Sequence, residues 1–322
     1  MTGVGEFELI EQLFANLAGP GGFSLKDDAA ILSPTPGHDL VLTKDAIAEG
    51  RHYLTSDPPG DVARKLIRVN LSDLAAKGAR PRAYLLSCAW GRGIDYVWIE
   101  AFCAGLKADQ ELYGIELLGG DTIRVEGPSV LSLTAIGDVS EGQMVRRSGA
   151  KIGDDVYVTG GIGEAALGLR VATGKLSLPQ SDADALLQRY RVPVPPVSFG
   201  RALSSFANAS IDISDGLLAD LGHLCEASGV GVEIRRESVP VSQAVASALQ
   251  HDDTLWTLVL TGGDDYQILF TADAERARDI EAAALRTATQ VTRIGRIVPT
   301  GISVLDADGQ PMSFAAKGFQ HF

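Results

Sequence analysis

Six short motifs in this chain place an aspartate beside a glycine, alanine or serine. They are residues 26–30 (KDDAA), 43–46 (TKDA), 70–76 (NLSDLAA), 119–122 (GGDT), 212–216 (DISDG) and 262–266 (GGDDY). Some follow apolar runs, such as residues 115–118 and 257–260, and such positions are where α/β proteins place ligand-binding groups. A single aspartate often only caps a helix or turns a loop. Six such motifs in one chain predict a ligand-binding site.

Several carboxylates that converge on one spot repel one another unless a cation lies between them. Oxygen ligands select hard cations such as Mg²⁺, Ca²⁺ or Mn²⁺, and Mg²⁺ is held by one or two carboxylates together with waters and substrate phosphates. Several aspartates with several Mg²⁺ ions therefore indicate a nucleotide. The sequence has no spaced His/Cys cluster typical of zinc, no GxxxxGK[ST] motif and no HRD or DFG set. A phosphotransferase of this kind is neither a P-loop enzyme nor a protein kinase.

The composition favours a cytoplasmic protein that acts on a small molecule. The 322 residues carry a formal net charge of −13, which argues against nucleic acid and anionic membrane as partners. Cys88, Cys103 and Cys225 show no CxxC spacing and are expected to be reduced thiols. We expect no signal peptide and no membrane span, because the N-terminus has no basic start before an apolar run and no apolar segment is long enough.

Residues 70–76 end an amphipathic helix that the apolar spacing predicts from about Gly60 to Gly78. Asn70 and Asp73 are three residues apart, so both side chains can project from one face of this helix. Strands and helices alternate around it, which indicates an α/β or α+β domain. The other elements predicted in this half are a helix over 6–18, a strand over 39–43, a loop over 46–52, a strand over 83–90, a helix over 96–113, and strands over 115–118 and 130–136.

A polar stretch, residues 140–153, predicts a boundary between two domains, 1–140 and 141–322. A glycine cluster at 160–163 follows a predicted strand and can offer backbone N–H groups to a phosphate, although such turns often serve only packing. The predicted elements are strands over 155–159, 209–213, 291–298 and 302–305, and helices from the glycine cluster to about 173, over 215–228 and over 272–288.

Read in order, the motifs resemble a known family. The resemblance is carried by residues 27–30 (DDAA), Thr43 and Asp45 with His52, and residues 70–76, 119–122, 147–150 (RSGA), 212–217 (DISDGL) and 317–322 (KGFQHF). Together they look like the thiamine-monophosphate kinases of the aminoimidazole-ribonucleotide-synthetase-like (PurM-like) superfamily, over essentially the whole chain. The NLSD and DxSDGL motifs mark the superfamily, whereas the His52 segment and the GFxHF ending point to the kinase.

This resemblance implies transfer of the γ-phosphoryl group of ATP to thiamine monophosphate, which gives thiamine diphosphate. It implies a two-domain PurM-like fold of the α/β (α+β) class. The N-terminal domain would be ferredoxin-like, would bind ATP and metal, and would pair its sheet with that of a second subunit in a homodimer. The C-terminal domain would also be α/β. Several Mg²⁺ ions are implied as cofactors, and a monovalent cation is left open.

The resemblance also assigns roles to individual residues. The implied metal-binding positions are Asp28, Thr43, Lys44, Asp45, Asp73, Asp121, Asp212 and Asp215. The implied catalytic set is Asp45, Asp73, Asp121 and Arg147. The implied contacts to ATP are Gly120, Asp121, Arg147 and Ser214. The implied contacts to the thiamine end are His52, Asp264 and Phe319. A carboxylate and an aromatic ring suit a cationic thiazolium.

Some positions depart from the family pattern. Lys26 replaces a glycine, Lys44 replaces a small hydroxyl or aspartate, and both Asp264 and Gln267 replace a glutamate. Lys44 is expected beside two metal ligands, where it would weaken a metal site or contact phosphate. His223 follows the apolar stripe of the helix over 215–228, so we expect it to be structural.

Two other functions stay open from the sequence. One is a different ATP-dependent synthetase of the superfamily, which would phosphorylate an amide oxygen. The other is a non-catalytic, acidic metal-binding scaffold. Selenophosphate synthetase is disfavoured, because it would need a catalytic cysteine or selenocysteine near the N-terminus and the first cysteine is Cys88.

Overall fold

The computed structural model describes residues 5–312, so the predicted substrate contact Phe319 lies outside the described residues. Within this range the chain forms two compact units. The first unit contains the residues up to Leu74 together with Ala79–Gly142, and the second contains Ala75–Gly78 together with the residues from Gln143 onward. No helix in the described range is long and apolar enough to cross a membrane.

The first unit is a four-stranded sheet with helices packed on one face. Its strands are β1 (His38–Ala48), β2 (Arg80–Trp90), β3 (Glu116–Arg124) and β4 (Val130–Ser140). Its helices are α1 (Glu6–Leu9), which continues through a wide turn at Ile10–Phe14 and a tight turn at Ala15–Leu17, α2 (Pro59–Ala76) and α3 (Tyr96–Tyr113). The predicted helix over 6–18 is thus helical as far as Leu17 but changes its pitch twice.

The strand order is β1-β4-β2-β3, with β2 and β3 parallel and the other neighbours antiparallel. Helix α3 makes the crossover that parallel strands require. Helices α2 and α3 approach closely at a pair of glycines, since a Cβ on Gly105 would lie 2.3 Å from the carbonyl oxygen of Gly60. The opposite face of the sheet is exposed and partly apolar, with Leu42 63% and Ile123 53% exposed.

Two predicted boundaries in this unit are wrong. Residues 46–48, expected in a loop, continue β1, because the strand pairs with β4 as far as Ala48 opposite Val130. Residues 119–122, expected to follow a strand, lie inside β3, which pairs with β2 through the motif to Arg124. The pairing register between β2 and β3 shifts between Tyr84 and Leu85. Beyond this β-bulge, Gly119 and Gly120 remain paired with β2.

A buried carboxylate on β4, Asp138, ties three segments together. It accepts hydrogen bonds from Arg80 Nη2 at 2.8 Å, from Arg82 Nη1 at 2.7 Å and from the Thr35 hydroxyl at 2.6 Å. Burial alone would raise the pKa of Asp138, but the hydrogen bonds from Arg80, Thr35 and Arg82 outweigh burial and hold it well below its usual range.

The second unit is a six-stranded mixed sheet with the order β10-β7-β9-β5-β8-β6. Its strands are β5 (Asp155–Thr159), β6 (Ala207–Asp212), β7 (Gly231–Arg235), β8 (Ile268–Ala272), β9 (Val291–Val298) and β10 (Ile302–Leu305). Its helices are α4 (Glu164–Ala172), α5 (Gln180–Arg191), α6 (Val197–Gly200), α7 (Leu217–Ser228), α8 (Gln243–His251), α9 (Trp256–Thr261) and α10 (Ala277–Thr287).

The predictions for the second unit succeed where a pattern is long or regular. Strands β5, β9 and β10 have the predicted bounds. Residue 272, expected to begin a helix, instead ends β8, a strand that the sequence analysis missed. All five residues of β8 are buried, so the strand shows no alternation that would distinguish it from a buried helix. The apolar run 257–260 lies in a helix, α9.

Asp138→Asn should lower the free energy of unfolding by about 2–3 kcal/mol near neutral pH, because it leaves two guanidinium groups without their carboxylate. A carboxyl group whose pKa is depressed by folding stabilises above its unfolded pKa, and this contribution is lost as pH falls through the folded pKa. The difference between wild type and variant in urea unfolding should therefore shrink at about pH 2.

The matched control is Glu126→Gln, which removes one partner of the exposed ion pair with Arg92. Exposed pairs contribute little, so this variant should change the unfolding free energy by less than about 1 kcal/mol. A loss in Asp138→Asn that is as small as in this control, or that does not depend on pH, would contradict the assigned role of Asp138.

Candidate active site

The side chains of Asn70 and Asp73 join helix α2 to strand β1. Asn70 Oδ1 accepts a hydrogen bond from the Asp45 backbone N–H at 3.0 Å, and its amide donates to the Leu66 carbonyl oxygen at 2.9 Å. Asp73 Oδ2 accepts from the Thr43 hydroxyl at 2.5 Å. Thr43 and Asp45 are two residues apart and so share one face of the strand. Helix and strand thus hold Thr43, Asp45 and Asp73 together, and we call these three residues the α2–β1 group.

Lys44 lies on the other face of β1. Its side chain is exposed, whereas Thr43 and Asp45 are half-buried. The Lys44 ammonium lies 3.4 Å from the hydroxyl of Thr134 on the neighbouring strand β4. The structure therefore brings Asp45 to Asp73 but directs Lys44 away from them.

His52 is fixed against the end of β1. Its Nδ1 accepts the Ala48 backbone N–H at 3.0 Å, and its own backbone N–H donates to the Ala48 carbonyl oxygen at 2.9 Å. The ammonium of Lys65, a residue only 1% exposed, donates to the His52 carbonyl oxygen at 2.8 Å. Since Nδ1 accepts, a neutral His52 carries its proton on Nε2.

A cavity of about 290 Å³ lies beside β3 and is lined by Asp28, Gly120 and Asp121, three of the predicted residues. We call it the β3 cavity. The Asp28 backbone N–H donates to Asp27 Oδ1 at 2.8 Å, and the carboxylates of Asp28 and Asp121 are both exposed. Gly120 is needed here, because a Cβ at this position would lie 1.7 Å from the Leu86 carbonyl oxygen.

The α2–β1 group and the β3 cavity lie at opposite edges of the sheet. Strands β1 and β3 are separated by β4 and β2, a span of about 14 Å at the usual strand spacing. They also use opposite faces, because Asp121 pairs with the exposed Ser87 whereas Asp45 pairs with the buried Leu133. Within one chain, the sheet therefore keeps Asp121 apart from Asp45 and Asp73.

In the second unit, two segments are joined into one structure around Ser214. The Asp264 N–H donates to the Ser214 carbonyl oxygen at 2.9 Å, and the Tyr266 N–H donates to the Ile213 carbonyl oxygen at 2.8 Å. Asp264 and Tyr266 have φ values of 72° and 51°, a conformation that non-glycine residues rarely adopt. Their hydrogen bonds hold this strained backbone in place, so that Asp264 lies beside Ser214.

Asp215, which follows Ser214, belongs to a cluster that the sequence analysis did not predict as a whole. Ligand atoms of Asp215, Asp220 and His223 lie within 4.8 Å of one another. Asp220 is buried and His223 is exposed. His223 was expected to be structural, but its exposure and its neighbours make it available to a ligand. The signal that could have revealed Asp220 is an acid that stands on the apolar stripe of α7.

Burial raises the pKa of Asp220 to about 7, against the opposing effect of hydrogen bonds from the Asp215 and Ser214 backbone and of the charge of Arg147. The Ser228 hydroxyl supports the loop after Arg147, because it accepts the N–H groups of Gly149 and Ala150 at 3.2 Å each. The structure thus groups Ser214 and Asp215, two of the predicted residues, around Asp220.

Backbone N–H groups at the glycine cluster 160–163 already donate hydrogen bonds to a carboxylate of the same chain. Asp265 Oδ2 accepts the Gly163 N–H at 2.7 Å, and Asp265 Oδ1 accepts the Ala165 N–H at 3.4 Å, at the start of α4. Burial raises the pKa of Asp265 to about 8, although both backbone donors oppose the shift. These two N–H groups are therefore not available to a phosphate.

The donor sets fit hard divalent cations. The α2–β1 group and the β3 cavity offer carboxylate and hydroxyl oxygens, and the second unit adds Asp215 and Asp212, which is 8% exposed. In the described part of the chain, Thr43 is the hydrogen-bond partner of the Asp73 carboxylate, and it uses one of the two oxygens. Oxygen-rich sites of this kind suit Mg²⁺.

Comparisons with known proteins bear on what these sites do. Residues 26–139 match the model of the AIR synthase related protein N-terminal domain, and residues 151–308 match that of the C-terminal domain. The thiamine-monophosphate kinase of Caulobacter vibrioides is 42% identical over 299 residues, which cover 91% of this chain and 84% of that protein. The thiamine-monophosphate kinase of Escherichia coli K12 is 36% identical and covers 99% of this chain and 98% of that protein.

The chain belongs to the thiamine-monophosphate kinase family.

Solved structures of this family have the same fold. The thiamine-monophosphate kinase from Stenotrophomonas maltophilia K279a superimposes with a TM-score of 0.82 at 40% identity, over 89% of this chain and 91% of that one. AaThiL complexed with AMPPCP and TMP superimposes with a TM-score of 0.79 at 32% identity, over 100% of this chain and 98% of that one. The predicted two-domain PurM-like α/β fold is thereby confirmed.

A more distant relative shows the fold without the function. The hydrogenase maturation protein HypE has a TM-score of 0.79 at only 19% identity. Fold likeness alone does not select an activity. The assignment to the kinase family rests on the relatives at 36–42% identity over nearly the whole chain.

Asp73→Asn should reduce kcat at least about 100-fold while leaving the fold intact, because it removes a charge that we predict holds metal and it removes no packing volume. Glu111→Gln, which neutralises an exposed acid on α3, is the control and should keep wild-type kcat. Thermal unfolding and steady-state kinetics on both variants make the comparison. Near-normal activity in Asp73→Asn would show that the α2–β1 group is not part of the active site.

Proposed function

We propose that this chain transfers the γ-phosphoryl group of ATP to thiamine monophosphate, which produces thiamine diphosphate and ADP. The observation that carries this function is the near full-length match to thiamine-monophosphate kinases, one of which has been solved with AMPPCP and TMP. The grouping of oxygen ligands in each unit supports it, because phosphoryl transfer requires cations to neutralise phosphate oxygens.

We propose roles for the grouped residues according to the chemistry each offers. In the first unit, Thr43, Asp45 and Asp73 would hold Mg²⁺ at the α2–β1 group, and Asp28 and Asp121 would hold it in the β3 cavity. In the second unit, Asp212 and Asp215 would hold Mg²⁺. Gly120 and Ser214 would contact ATP, and the guanidinium of Arg147 would bind a phosphate. Lys44, whose side chain leaves the α2–β1 group, would act only through its backbone or on phosphate.

We assign the contacts with thiamine monophosphate to residues whose charge or hydrogen-bonding groups suit it. Asp264, held beside Ser214, would offer a carboxylate to the cationic thiazolium. His52, held against the end of β1 by Ala48 and Lys65, would contact the same substrate. Phe319, outside the described residues, is retained as an aromatic contact on the resemblance alone.

The acceptor needs little activation by a base. A phosphate monoester has its second pKa near 6 and is largely a dianion at neutral pH. The main obstacle is therefore the approach of two polyanions within an acidic protein. When bound, Mg²⁺ would neutralise charge on the transferring phosphoryl group. The task of the side chains is to orient both reactants in line and to exclude other nucleophiles.

We also propose that the predicted N-terminal domain, residues 1–140, binds ATP and metal and forms the dimer, and that residues 141–322 form the second domain. More than one Mg²⁺ ion would be bound, because the ligand groups lie at separate positions in the sheet. A cytoplasmic location agrees with ATP as co-substrate and with three buried, free thiols, Cys88, Cys103 and Cys225.

A homodimer is supported by the exposed face and the open edges of the first sheet. Leu42, Leu85 and Ile123 are 63%, 41% and 53% exposed on that face. In the described range, no strand pairs with the outer edge of β1 or of β3, although Ala18 makes an isolated bridge to Leu117. If β1 of one copy lies beside β3 of a second copy, the strand that carries Asp45 becomes the neighbour of the strand that carries Asp121 of the partner subunit. Pairing of this kind would bring two groups that one chain keeps about 14 Å apart to within one strand spacing of each other, although their side chains leave opposite faces of the sheet.

Thiamine monophosphate should stimulate release of ADP from ATP, with thiamine diphosphate formed in equal amount, and excess chelator should stop both. Coupled ADP detection with chromatography of the thiamine product measures this directly. Stimulation by an amide nucleotide instead of thiamine monophosphate would favour another synthetase of the superfamily. Turnover that persists in excess chelator would contradict the role of Mg²⁺.

Mixing two inactive variants, Asp73→Asn and Asp121→Asn, should restore activity if each site uses both chains. After subunit exchange about half of the dimers are mixed, and in each mixed dimer one site carries both substitutions while the other carries none. Activity should therefore return to about a quarter of wild type. If both aspartates act within one chain, each site of the mixed dimer keeps one substitution and no activity returns.

Leu42→Glu provides the control for assembly in this experiment, because a charge on the exposed sheet face should prevent pairing. Light scattering should then show a monomer, and the mixed variants should not recover. Leu285→Glu, at a site 77% exposed in the second unit, should leave both the mass and the activity unchanged.

A further inference from the structure

A buried carboxylate, Asp220, lies beneath the turn that carries Ser214 and Asp215. Only 2% of Asp220 is exposed, and its Oδ2 accepts the backbone N–H groups of both turn residues at 3.0 Å each. Asp220 stands in the first turn of α7, whose preceding residue Gly216 provides no side-chain cap. The carboxylate therefore satisfies two donors that lie just ahead of the helix.

The apolar surroundings of Asp220 make its ionised form energetically unfavourable. Its neighbours along α7, Leu217, Leu221 and Leu224, are fully buried. Removing an ion from water to such a place costs several kcal/mol. An apolar side chain would avoid this cost but would leave two N–H groups without their partner. What the carboxylate provides is a fixed orientation of the Ser214–Asp215 turn.

The same turn is held from its other side. The carbonyl oxygen of Ser214 accepts from Asp264, and that of Ile213 accepts from Tyr266. Gly263 also approaches closely, since a Cβ there would lie 2.2 Å from the Ser214 carbonyl oxygen. Asp220 supplies the acceptors for the turn and residues 263–266 supply the donors, so the backbone of Ser214 is fixed on both sides.

We propose that Asp220 is a positioning residue for phosphoryl transfer, which acts by fixing the backbone of Ser214 and Asp215. The inference rests on the proposed function, which assigns an ATP contact to Ser214 and a metal ligand to Asp215. Asp220 would act through the backbone of these two residues, whose N–H groups it accepts. Its carboxylate fixes the backbone from which the side chains of Ser214 and Asp215 project. A displacement of about 1 Å at a reacting group can reduce a rate about 100-fold.

Two substitutions separate the position of the acceptor from its charge. Asp220→Asn keeps one oxygen at the same distance from the backbone and removes the charge, so kcat/KM for ATP should stay within about 10-fold of wild type. Asp220→Glu keeps the charge but moves the oxygens by one methylene, so kcat/KM for ATP should fall about 100-fold. The Mg²⁺ concentration for half-maximal activity should rise in the glutamate variant, because Asp215 is displaced.

The matched control is Asp154→Glu in the same unit. Asp154 is 3% exposed and accepts the Lys151 N–H at 2.9 Å and the Asn208 amide at 2.9 Å, so it is a comparable buried acceptor away from the turn. This variant carries the same extra methylene and should lose stability, yet its kcat/KM per folded molecule should stay within about 3-fold.

Activity per folded molecule is obtained by scaling to the folded fraction from thermal unfolding. The positioning role is overturned if Asp220→Glu is as active as Asp220→Asn, or if Asp154→Glu falls as far as Asp220→Glu. Formation of thiamine diphosphate by the wild type tests the proposed function separately. A wild type that turns over while the two Asp220 variants behave alike removes only the positioning role, whereas a wild type that fails to turn over removes both.

Discussion

Mutual repulsion of carboxylates is the constraint on which this structure depends. Each unit concentrates acids in a chain that already carries a net charge of −13, and the expected reactants are polyanions. Hydrogen bonds offset part of this electrostatic repulsion, such as those from Thr43 to Asp73 and from two backbone N–H groups to Asp220. Such bonds orient a carboxylate without neutralising it, so the arrangement is complete only when cations share the site.

The two units meet this constraint differently. In the first unit the proposed ligands come from regular elements, a helix face, a strand face and an edge strand, which hold side chains with little freedom. In the second unit they come from loops whose backbone is fixed by Asp220 and by the segment around Asp264. Loops carry functional groups well when a rigid framework determines their shape. The division of the proposed ligands between opposite edges of the first sheet is the reason for our proposal that two copies pair.

Much of this could be predicted from sequence, because the informative signals were local. The three-residue spacing of Asn70 and Asp73 predicted their shared face, and long patterns predicted helix α3 and strand β9. Strand β8 was missed because a fully buried strand lacks alternation. The direction of Lys44, the anchoring of His52 and the burial of Asp220 depend on contacts between distant residues, which spacing does not encode. The exposure of His223 beside Asp215 and Asp220 was not predicted, because an apolar stripe indicates packing and does not report exposure.

The most direct test of the central claim asks whether a metal ion binds the phosphates during turnover. The two β-phosphorothioate diastereomers of ATP can be compared as substrates with Mg²⁺ and with Cd²⁺. Mg²⁺ prefers oxygen and Cd²⁺ prefers sulfur, so the preferred diastereomer should reverse when the metal is exchanged. The same preference with both metals would contradict a site in which carboxylate-bound cations hold the transferring phosphates.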